Sequence, residues 1–433
     1  MLLFFLFSNI EQKSEGSYER KSITVDFFVE KLKDYAGLQA YKSEFLKKKH
    51  KETEARSAFL PKAEINLDYQ NKVKMISPLG MKDPEGKREW DLNARGEAQL
   101  NVFNGFGDIA AFKEAKHYTE AGRFEYYRKI SKLFLDALDA MGRMNHSAAN
   151  VEAMSMMLDS KAKIYNMAKN KFKNEAISKG ELQTALAEKN IAQSNKYRHE
   201  SEYMSHAADF ESKSGIKAEA NYIIDTPEKL PETYEQAEQM MLRHNFDIQE
   251  AEYKVKQAES GLKKSKGAFF PKIDLYANGR KKIDTDDNKD IKKNDKENEI
   301  EYVWGARASY QFTGFRDTAR YKEAVEALSE ARYSYHATLN RVKSELKMAW
   351  DIHRMSQKQC PLLTAAVNEY QAAVDAEMIK YESGAKDMSK LIQAQEALAE
   401  AKNRLAHNEK NLRLESWRLT ILVGDLPNSL KGI

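Results

Sequence analysis

Two pairs of matched stretches decide the fold of this chain. The stretches are Ala58-Phe-Leu-Pro-Lys62 with Ala268-Phe-Phe-Pro-Lys272, and Phe103-Asn-Gly-Phe106 with Phe312-Thr-Gly-Phe315. The members of the first pair lie 210 residues apart and those of the second pair 209 residues apart. Self-similarity at one long, constant spacing is the mark of an internal repeat. The sequence therefore predicts a tandem duplication.

The duplication predicts how the chain is organised. We expect a first structural repeat over 9–224, a linker over 225–231 that is rich in proline and charge, and a second repeat over 232–433. The apolar run in residues 1–8 has no basic residue before it and is shorter than a standard signal sequence. We interpret it as the end of a secretory signal that starts upstream; a buried helix end is the alternative.

The composition favours long amphipathic helices. The 433 residues include only 19 Gly and 8 Pro, and Glu85 to Thr226 contains no proline at all. Charged residues make up 31% and hydrophobic residues 42%, a mixture typical of helices with one apolar stripe. The net charge of +4 is too balanced to predict nucleic-acid binding. The single Cys360 excludes an internal disulfide and a structural zinc site built on several thiols.

Hydrophobic spacing locates the helices. Between Val325 and Trp350 the apolar residues recur every 3.5 residues on average, which is the period of a coiled-coil seam. A second seam on the last helix has the polar Asn408 at one seam position. Helices are predicted at about 25–58, 106–172, 181–210, 234–267, 315–381 and 389–420. The two longest would each span roughly 100 Å at 1.5 Å per residue.

Strict alternation of apolar and polar residues locates the strands. Strands are predicted at about 62–70, 91–103, 272–281 and 299–312. Runs of this length suffice for tilted strands that cross a bilayer, and no window is apolar enough for a membrane-spanning helix. A soluble two-layer sheet would also alternate, so both interpretations stay open from pattern alone.

The residues on the two faces favour the membrane interpretation. The polar face would carry charged groups suited to a water-filled lumen: Arg95, Glu97, Glu301 and Arg307. The apolar face carries aromatic residues suited to lipid interfaces: Tyr69, Trp90, Tyr302, Trp304 and Tyr310. Four strands cannot close around water, and an open edge in lipid leaves backbone groups without partners. Several chains would therefore share one barrel.

Taken in order, the duplicated motifs resemble the TolC family of outer-membrane export channels over nearly the whole chain. The helix-to-strand stretches are Phe59-Leu-Pro-Lys-Ala-Glu-Ile65 and Phe269-Phe-Pro-Lys-Ile-Asp-Leu275. The strand-to-helix stretches are Asn101-Val-Phe-Asn-Gly-Phe106 and Tyr310-Gln-Phe-Thr-Gly-Phe315. Lys380-Tyr-Glu-Ser-Gly384 and Leu391-Ile-Gln-Ala394 are similar to the family's periplasmic tip and returning helix.

The resemblance implies a mixed α/β membrane protein: a homotrimer whose α-helical coiled-coil hairpins form a periplasmic tunnel joined to a shared barrel, with four strands per chain. It implies a passive exit duct in the outer membrane of a Gram-negative cell. The partners would be outer-membrane lipid, a periplasmic adaptor and an inner-membrane ABC or RND transporter. No catalytic residue, cofactor, metal or nucleic acid is expected. The cargo, and hence type I secretion or multidrug efflux, stays open.

The resemblance also places a gate at the second hairpin tip. The family's tip tyrosine falls on Tyr381 and its arginine partner on Lys386, which cannot form the same bidentate link. The two aspartates of the family's constriction fall on Lys390 and Gln393, so the acidic ring is absent. We hypothesise that Lys390 makes the constriction neutral or cationic; a solvated position outside the narrowest point is the alternative.

Turns at the two hairpin tips are the candidate contacts for an adaptor. The residues are Asn174, Ser178 and Gly180 in the first repeat, and Ser383 and Gly384 in the second. Pro361 interrupts the pattern of the second long helix and is either a hinge or a static kink.

The main rival is a soluble periplasmic coiled-coil adaptor or structural protein. An enzyme is disfavoured because the sequence has no HExxH, Walker A or GxSxG motif.

Overall fold

The computed structural model describes residues 20–33, 35–75, 86–218, 221–224, 226–227, 229–284, 300–383 and 388–426. Within them the same succession of strand, two helices, two strands and two helices occurs twice. The first repeat comprises β1 (Arg20–Ile23), α1 (Val25–Lys33), α2 (Ala36–Ser57), β2 (Lys62–Met75), β3 (Gly86–Phe103), α3 (Gly107–Lys173) and α4 (Lys179–Ser214). The second comprises β4 (Asn221–Ile224), α5 (Tyr234–His244), α6 (Phe246–Lys266), β5 (Lys272–Asp284), β6 (Ile300–Ser309), α7 (Arg316–Glu382) and α8 (Met388–Leu422). The mixed, duplicated fold class predicted from the sequence is confirmed.

The four long strands form one antiparallel sheet. Their order is β2-β3-β5-β6, so β3 pairs with a strand of its own repeat on one side and with a strand of the other repeat on the other. The register places Glu64 opposite Glu97 and Glu97 opposite Asn278. A bulge between Asn101 and Phe103 shifts the register at the end of β3.

A second, two-stranded sheet has no counterpart in the sequence prediction. Strands β1 and β4 pair in parallel, and each stands at the start of its repeat. Four residues are too few to show a period of two, which explains why the pattern gave no sign of them.

Two predicted helices are each divided into two. The single helix predicted over 25–58 is α1 and α2, and the one over 234–267 is α5 and α6. Asn245 separates the latter pair: its Oδ1 accepts a hydrogen bond from the Ile248 N–H at 3.2 Å, which caps α6. Its Nδ2 donates to the Leu422 carbonyl at 2.9 Å. A contact that distant in sequence cannot be inferred from local spacing.

The described residues fall into two compact units. One comprises residues 20–44, 123–249 and 337–426, and its interior contains Phe28, Phe134 and Phe210 with no exposed surface. The Phe134 ring packs edge-on against Phe28 and against Trp417. The other unit comprises residues 45–122 and 250–336 and holds the four-stranded sheet.

Helix α7 continues through Pro361 without interruption. Among the described residues, no helix combines the length and apolar character needed to cross a membrane.

Candidate functional site: the sheet faces and the hairpin tips

One face of the four-stranded sheet is apolar and lies open. The register aligns Ile65 of β2 with Gly96, Gly279 and finally Tyr302 of β6. Ile65 is 80% exposed and Tyr302 is 74% exposed. Trp304, two residues along β6 on the same face, is 84% exposed. Large apolar side chains exposed on one face of a sheet are typical of a surface that contacts an apolar medium or a partner.

The opposite face of the sheet is polar. Arg95 and Arg280 lie directly opposite each other, and Glu301 follows on the next strand. Asn101 Nδ2 donates a hydrogen bond to Asp274 Oδ1 at 2.8 Å. The four charged residues assigned to this face from the sequence are Arg95, Glu97, Glu301 and Arg307, and the alternation of the strands puts all four on it.

The first hairpin tip joins α3 to α4. The chain leaves α3 through Glu175, whose φ of 57° lies in the left-handed region. The Ala176 N–H donates to the Lys171 carbonyl at 2.9 Å, which satisfies one of the last carbonyls of the helix. The Asn174 N–H donates to the Asn170 carbonyl at 3.2 Å, so Asn174 continues the hydrogen-bond pattern of α3.

A capping box starts α4. The Glu181 N–H donates to Ser178 Oγ at 3.2 Å, and the Ser178 N–H donates to Glu181 Oε2 at 2.7 Å. The backbone bond from Ser178 lowers the pKa of the exposed Glu181 carboxyl, and the Ser178 side chain acts in the same direction. Gly180 lies in the first turn, where a Cβ would meet nothing closer than 3.7 Å. This tip is ordered by its own capping bonds.

The second hairpin tip is described as far as Ser383. The Ser383 N–H donates to the Ile379 carbonyl at 3.1 Å, and Ser383 Oγ donates to the Lys380 carbonyl at 2.9 Å. Tyr381 belongs to the last turn of α7, but its side chain lies outside the described part of the chain, as do Gly384 and Lys386 altogether.

Lys390 and Gln393 are both exposed in the first turns of α8. Their neighbour Leu391 is buried in an apolar layer formed by three helices. The layer consists of Ile164 of α3, Val374 of α7, and Leu391 and Leu398 of α8. This layer fixes α8, so that positions 390 and 393 are presented to solvent on the side away from it.

Sequence reasoning missed a polar seam between α3 and α8. Lys410 Nζ lies 3.1 Å from Asp139 Oδ1, and the Lys410 stem crosses α3 over Gly142, where a Cβ would lie 2.6 Å from Lys410 Cγ. One turn further on, the rings of His146 and His407 have centroids 5.8 Å apart. The heptad spacing of α8 predicted that this surface packs against another helix, but it did not identify α3 as that helix.

The pKa of His407 is lowered, first by burial and then by His146 and Lys410. Asp139 on α3 pairs with Lys410. A proton on His407 would add positive charge beside the Lys410 ammonium and the His146 ring. Within the described residues no group of three or more His, Cys, Asp or Glu side chains is placed to hold a metal ion.

Several solved structures that share this architecture are of outer-membrane proteins. The Campylobacter jejuni CmeC outer membrane channel superposes with a TM-score of 0.79 at 14% identity over 94% of this chain and 87% of that one. The Vibrio cholerae outer membrane protein VceC gives 0.73 at 16% identity, over 92% and 96%. The open state of the Neisseria gonorrhoeae MtrE outer membrane channel gives 0.72 at 13% identity, over 92% and 88%. The fold is that of these channels.

In sequence, residues 238–425 match the model of the outer membrane efflux protein family. No curated protein matches the chain. The resemblance to this family of outer-membrane channels is thus confirmed in fold over 92–94% of the chain and in sequence over residues 238–425. Both findings support a location in the outer membrane with an extension into the periplasm.

Proposed function

We propose that this protein is the outer-membrane exit duct of a tripartite export machine, of the type I secretion or multidrug efflux kind. Three copies share one twelve-stranded barrel, and their helical hairpins form a periplasmic tunnel. The duct is passive: a periplasmic adaptor and an inner-membrane ABC or RND transporter supply selection and energy.

The exposed apolar face of the four-stranded sheet carries this proposal. Ile65 and Leu67 of β2 and Trp304 of β6 are each at least 70% exposed on one face, opposite a face rich in charge. A soluble protein would cover such a face, whereas a barrel turns it to lipid and its polar face to water. Strands β2 and β6 form the two outer edges of the sheet, and in lipid those edges need partners. Copies of the same chain supply them.

The hairpin tips are proposed as the gate and as the contact with the adaptor. Tyr381 and Lys386 would link neighbouring hairpins in the closed state, and Lys390 and Gln393 would line the constriction. Exposure of Lys390 and Gln393 supports this assignment, since a lining residue must reach the lumen. Asn174, Ser178, Gly180, Ser383 and Gly384 are the proposed adaptor contacts.

Electron-microscope imaging of the detergent-extracted protein, with its oligomer mass determined on the same sample, tests the proposal. Threefold hollow particles that need detergent for solubility are expected. Monomers that stay soluble without detergent would overturn the duct and favour the soluble coiled-coil adaptor instead.

A further inference from the structure

A groove of about 610 Å³ opens between α6 and α7 in the unit that holds the sheet. Small residues line it: Ala258 and Gly261 of α6, Ala268 in the turn that follows α6, and Ala324 and Ala327 of α7. Charged groups surround these small residues: Lys254, Lys264 and Arg320 are basic, and Glu114 of α3 and Glu323 of α7 are acidic. A groove of this volume is large enough for a small organic molecule.

The internal repeat provides a comparison within the same chain. Helix α6 corresponds to α2 at a spacing of 210 residues, and α7 corresponds to α3 at a spacing of 209. The counterparts of Ala258, Gly261 and Ala327 are therefore Lys48, Lys51 and Tyr118. Three small residues of the second repeat stand where the first repeat has three large ones.

In the first repeat these three large side chains contact one another. Lys48 Nζ lies 5.2 Å and Lys51 Nζ 5.7 Å from the centroid of the Tyr118 ring. The next residue, Thr119, donates a hydrogen bond from Oγ1 to the Lys48 carbonyl at 3.2 Å, which holds α3 close to α2 at this level. The first repeat therefore fills this position with its own aromatic ring, whereas the second repeat leaves it open.

The charge at the groove also differs between the repeats. Lys254 and Lys264 stand where the first repeat has Glu44 and Glu54. Arg320 stands where the first repeat has Ala111. The second repeat thus lacks the aromatic ring and the two lysines beside it, and it has basic groups where the first repeat has two glutamates and an alanine.

Two of the three basic groups have acidic neighbours. Lys254 pairs with Glu250 at 2.6 Å, and Lys264 pairs with Glu114 at 3.0 Å. Arg320 is exposed and makes no ion pair with any residue that the structure describes. Its guanidinium is available to an anionic group bound in the groove, and a planar fork matches a carboxylate or sulfonate well.

We propose that this groove is a binding site for a planar aromatic molecule that carries an anionic group. The ring lies on the floor formed by Ala258, Gly261 and Ala327, in the place that Tyr118 takes in the first repeat. The anionic group pairs with Arg320. The lysines at the edge make cation–π contacts with the bound ring, as Lys48 and Lys51 do with Tyr118. The site concerns binding alone and goes beyond the duct function.

Anilinonaphthalenesulfonate is a suitable probe because it joins a fused aromatic ring to a sulfonate. Titration of the full-length detergent-extracted protein, followed by fluorescence, is expected to give a saturable component of one site per chain above the detergent background. A triple variant fills the groove with the side chains that the first repeat has at these positions; its substitutions are Ala258→Lys, Gly261→Lys and Ala327→Tyr. This triple variant is expected to lose the saturable component. Equal binding by the variant would overturn the proposal.

Arg320→Gln is a milder variant on an exposed helix position and covers the case in which the triple variant does not fold. It is expected to weaken anilinonaphthalenesulfonate about tenfold, the effect of losing one charged hydrogen bond. Binding of the uncharged phenylnaphthylamine should be unchanged. Equal loss for both probes, or no loss for either, would overturn the anionic assignment.

Tyr118→Ala combined with Lys48→Ala and Lys51→Gly is the matched control, because it gives the corresponding place in the first repeat the small residues of the groove. Ala111 stands there in place of Arg320, and Glu44 and Glu54 stand in place of Lys254 and Lys264, so no second anilinonaphthalenesulfonate site is expected. A second site of equal affinity would contradict the role assigned to the basic edge. Channel conductance measured on the same preparations separates the two proposals: a conducting protein without the probe site would overturn the groove and leave the duct intact.

Discussion

Asn408 of α8 donates a hydrogen bond from Nδ2 to the main-chain carbonyl oxygen of Ser356 in α7, at 2.9 Å. Asn408 is 4% exposed and Ser356 5% exposed, so the bond lies inside the helix pair. Five residues further along α7, Pro361 has no N–H to donate to the helix. A polar residue in an apolar seam fixes the register of two helices, and here it does so beside the one proline of α7.

Asn408→Ala is expected to destabilise the protein by about 1 kcal/mol, since it removes one buried hydrogen bond between α7 and α8. The midpoint of thermal unfolding in detergent measures the loss. Asn411→Ala makes the same substitution one turn further along α8 at a half-buried position and should have little effect. Equal shifts for the two variants would contradict a special role for Asn408.

Pro361→Ala tests whether the proline acts as a hinge. We expect the variant to stiffen α7 and to lower the frequency of channel opening in planar bilayers, because the alanine restores the missing helical hydrogen bond. Unchanged opening would leave Pro361 as a static feature of the helix.

Gly105 and Gly314 are equivalent glycines with different surroundings. Both have a φ of 66°, but a Cβ at residue 105 would lie 2.7 Å from the Gly267 carbonyl oxygen, whereas at residue 314 it would meet nothing within 4 Å. Gly314→Ala should cost about 1–2 kcal/mol from the left-handed conformation alone. Gly105→Ala adds a clash with backbone and should cost clearly more. The yield and melting temperature of the two variants provide the comparison, and equal values would contradict it.

Lys390→Asp is expected to shift the ion preference of the channel toward cations, because in the proposed trimer three exposed lysines would become three carboxylates. Reversal potentials of single channels in a salt gradient measure the preference. Gln393→Asp places one new carboxylate per chain on the same helix and serves as a companion variant. If neither variant changes the reversal potential, the two positions do not line the constriction.

Acid is expected to weaken the seam between α3 and α8. The pKa of His407 is lowered in the folded protein, so its stabilising effect is fully present above the ordinary value of about 6.5 and is lost as the pH falls through the lowered pKa. The groups that face it are His146 and Asp139 on α3 and Lys410 on α8. His407→Asn should flatten the fall in melting temperature between neutral and mildly acidic pH. An unchanged pH profile would exclude His407 as the cause.

The sequence predicts the elements with strong periods and misses those fixed by distant contacts. The alternation in β2 and the apolar seam of α8 allowed a strand and a helix to be predicted, because each pattern runs for many residues. The boundary between α5 and α6 at Asn245 could not be predicted, because it depends on a hydrogen bond from Asn245 to Leu422, 177 positions away. Strand β2 extends to Met75, beyond the predicted end at 70, since the lysines at 72 and 74 look like loop in sequence.

The candidate site divides in the same way. Motif spacing placed Lys390 and Gln393 near the start of α8, where the structure has them exposed. It could not reveal that His146 and His407 meet, because neither lies in a recognisable motif and they belong to different repeats. The groove of the second repeat was likewise invisible, since three small residues on two helices carry no pattern until the helices are paired.

The position of β3 between two repeats imposes an order on folding. When only the first repeat is available, β2 and β3 can form a hairpin, but the strand that completes the other side of β3 comes much later in the chain. The Asn101 to Asp274 bond spans 173 residues. Until then the hairpin exposes both its apolar face and an open edge, the two features that drive strands to aggregate. A fragment that ends after the first repeat should therefore precipitate unless a chaperone is present. In the intact chain, β5 of the second repeat covers this edge.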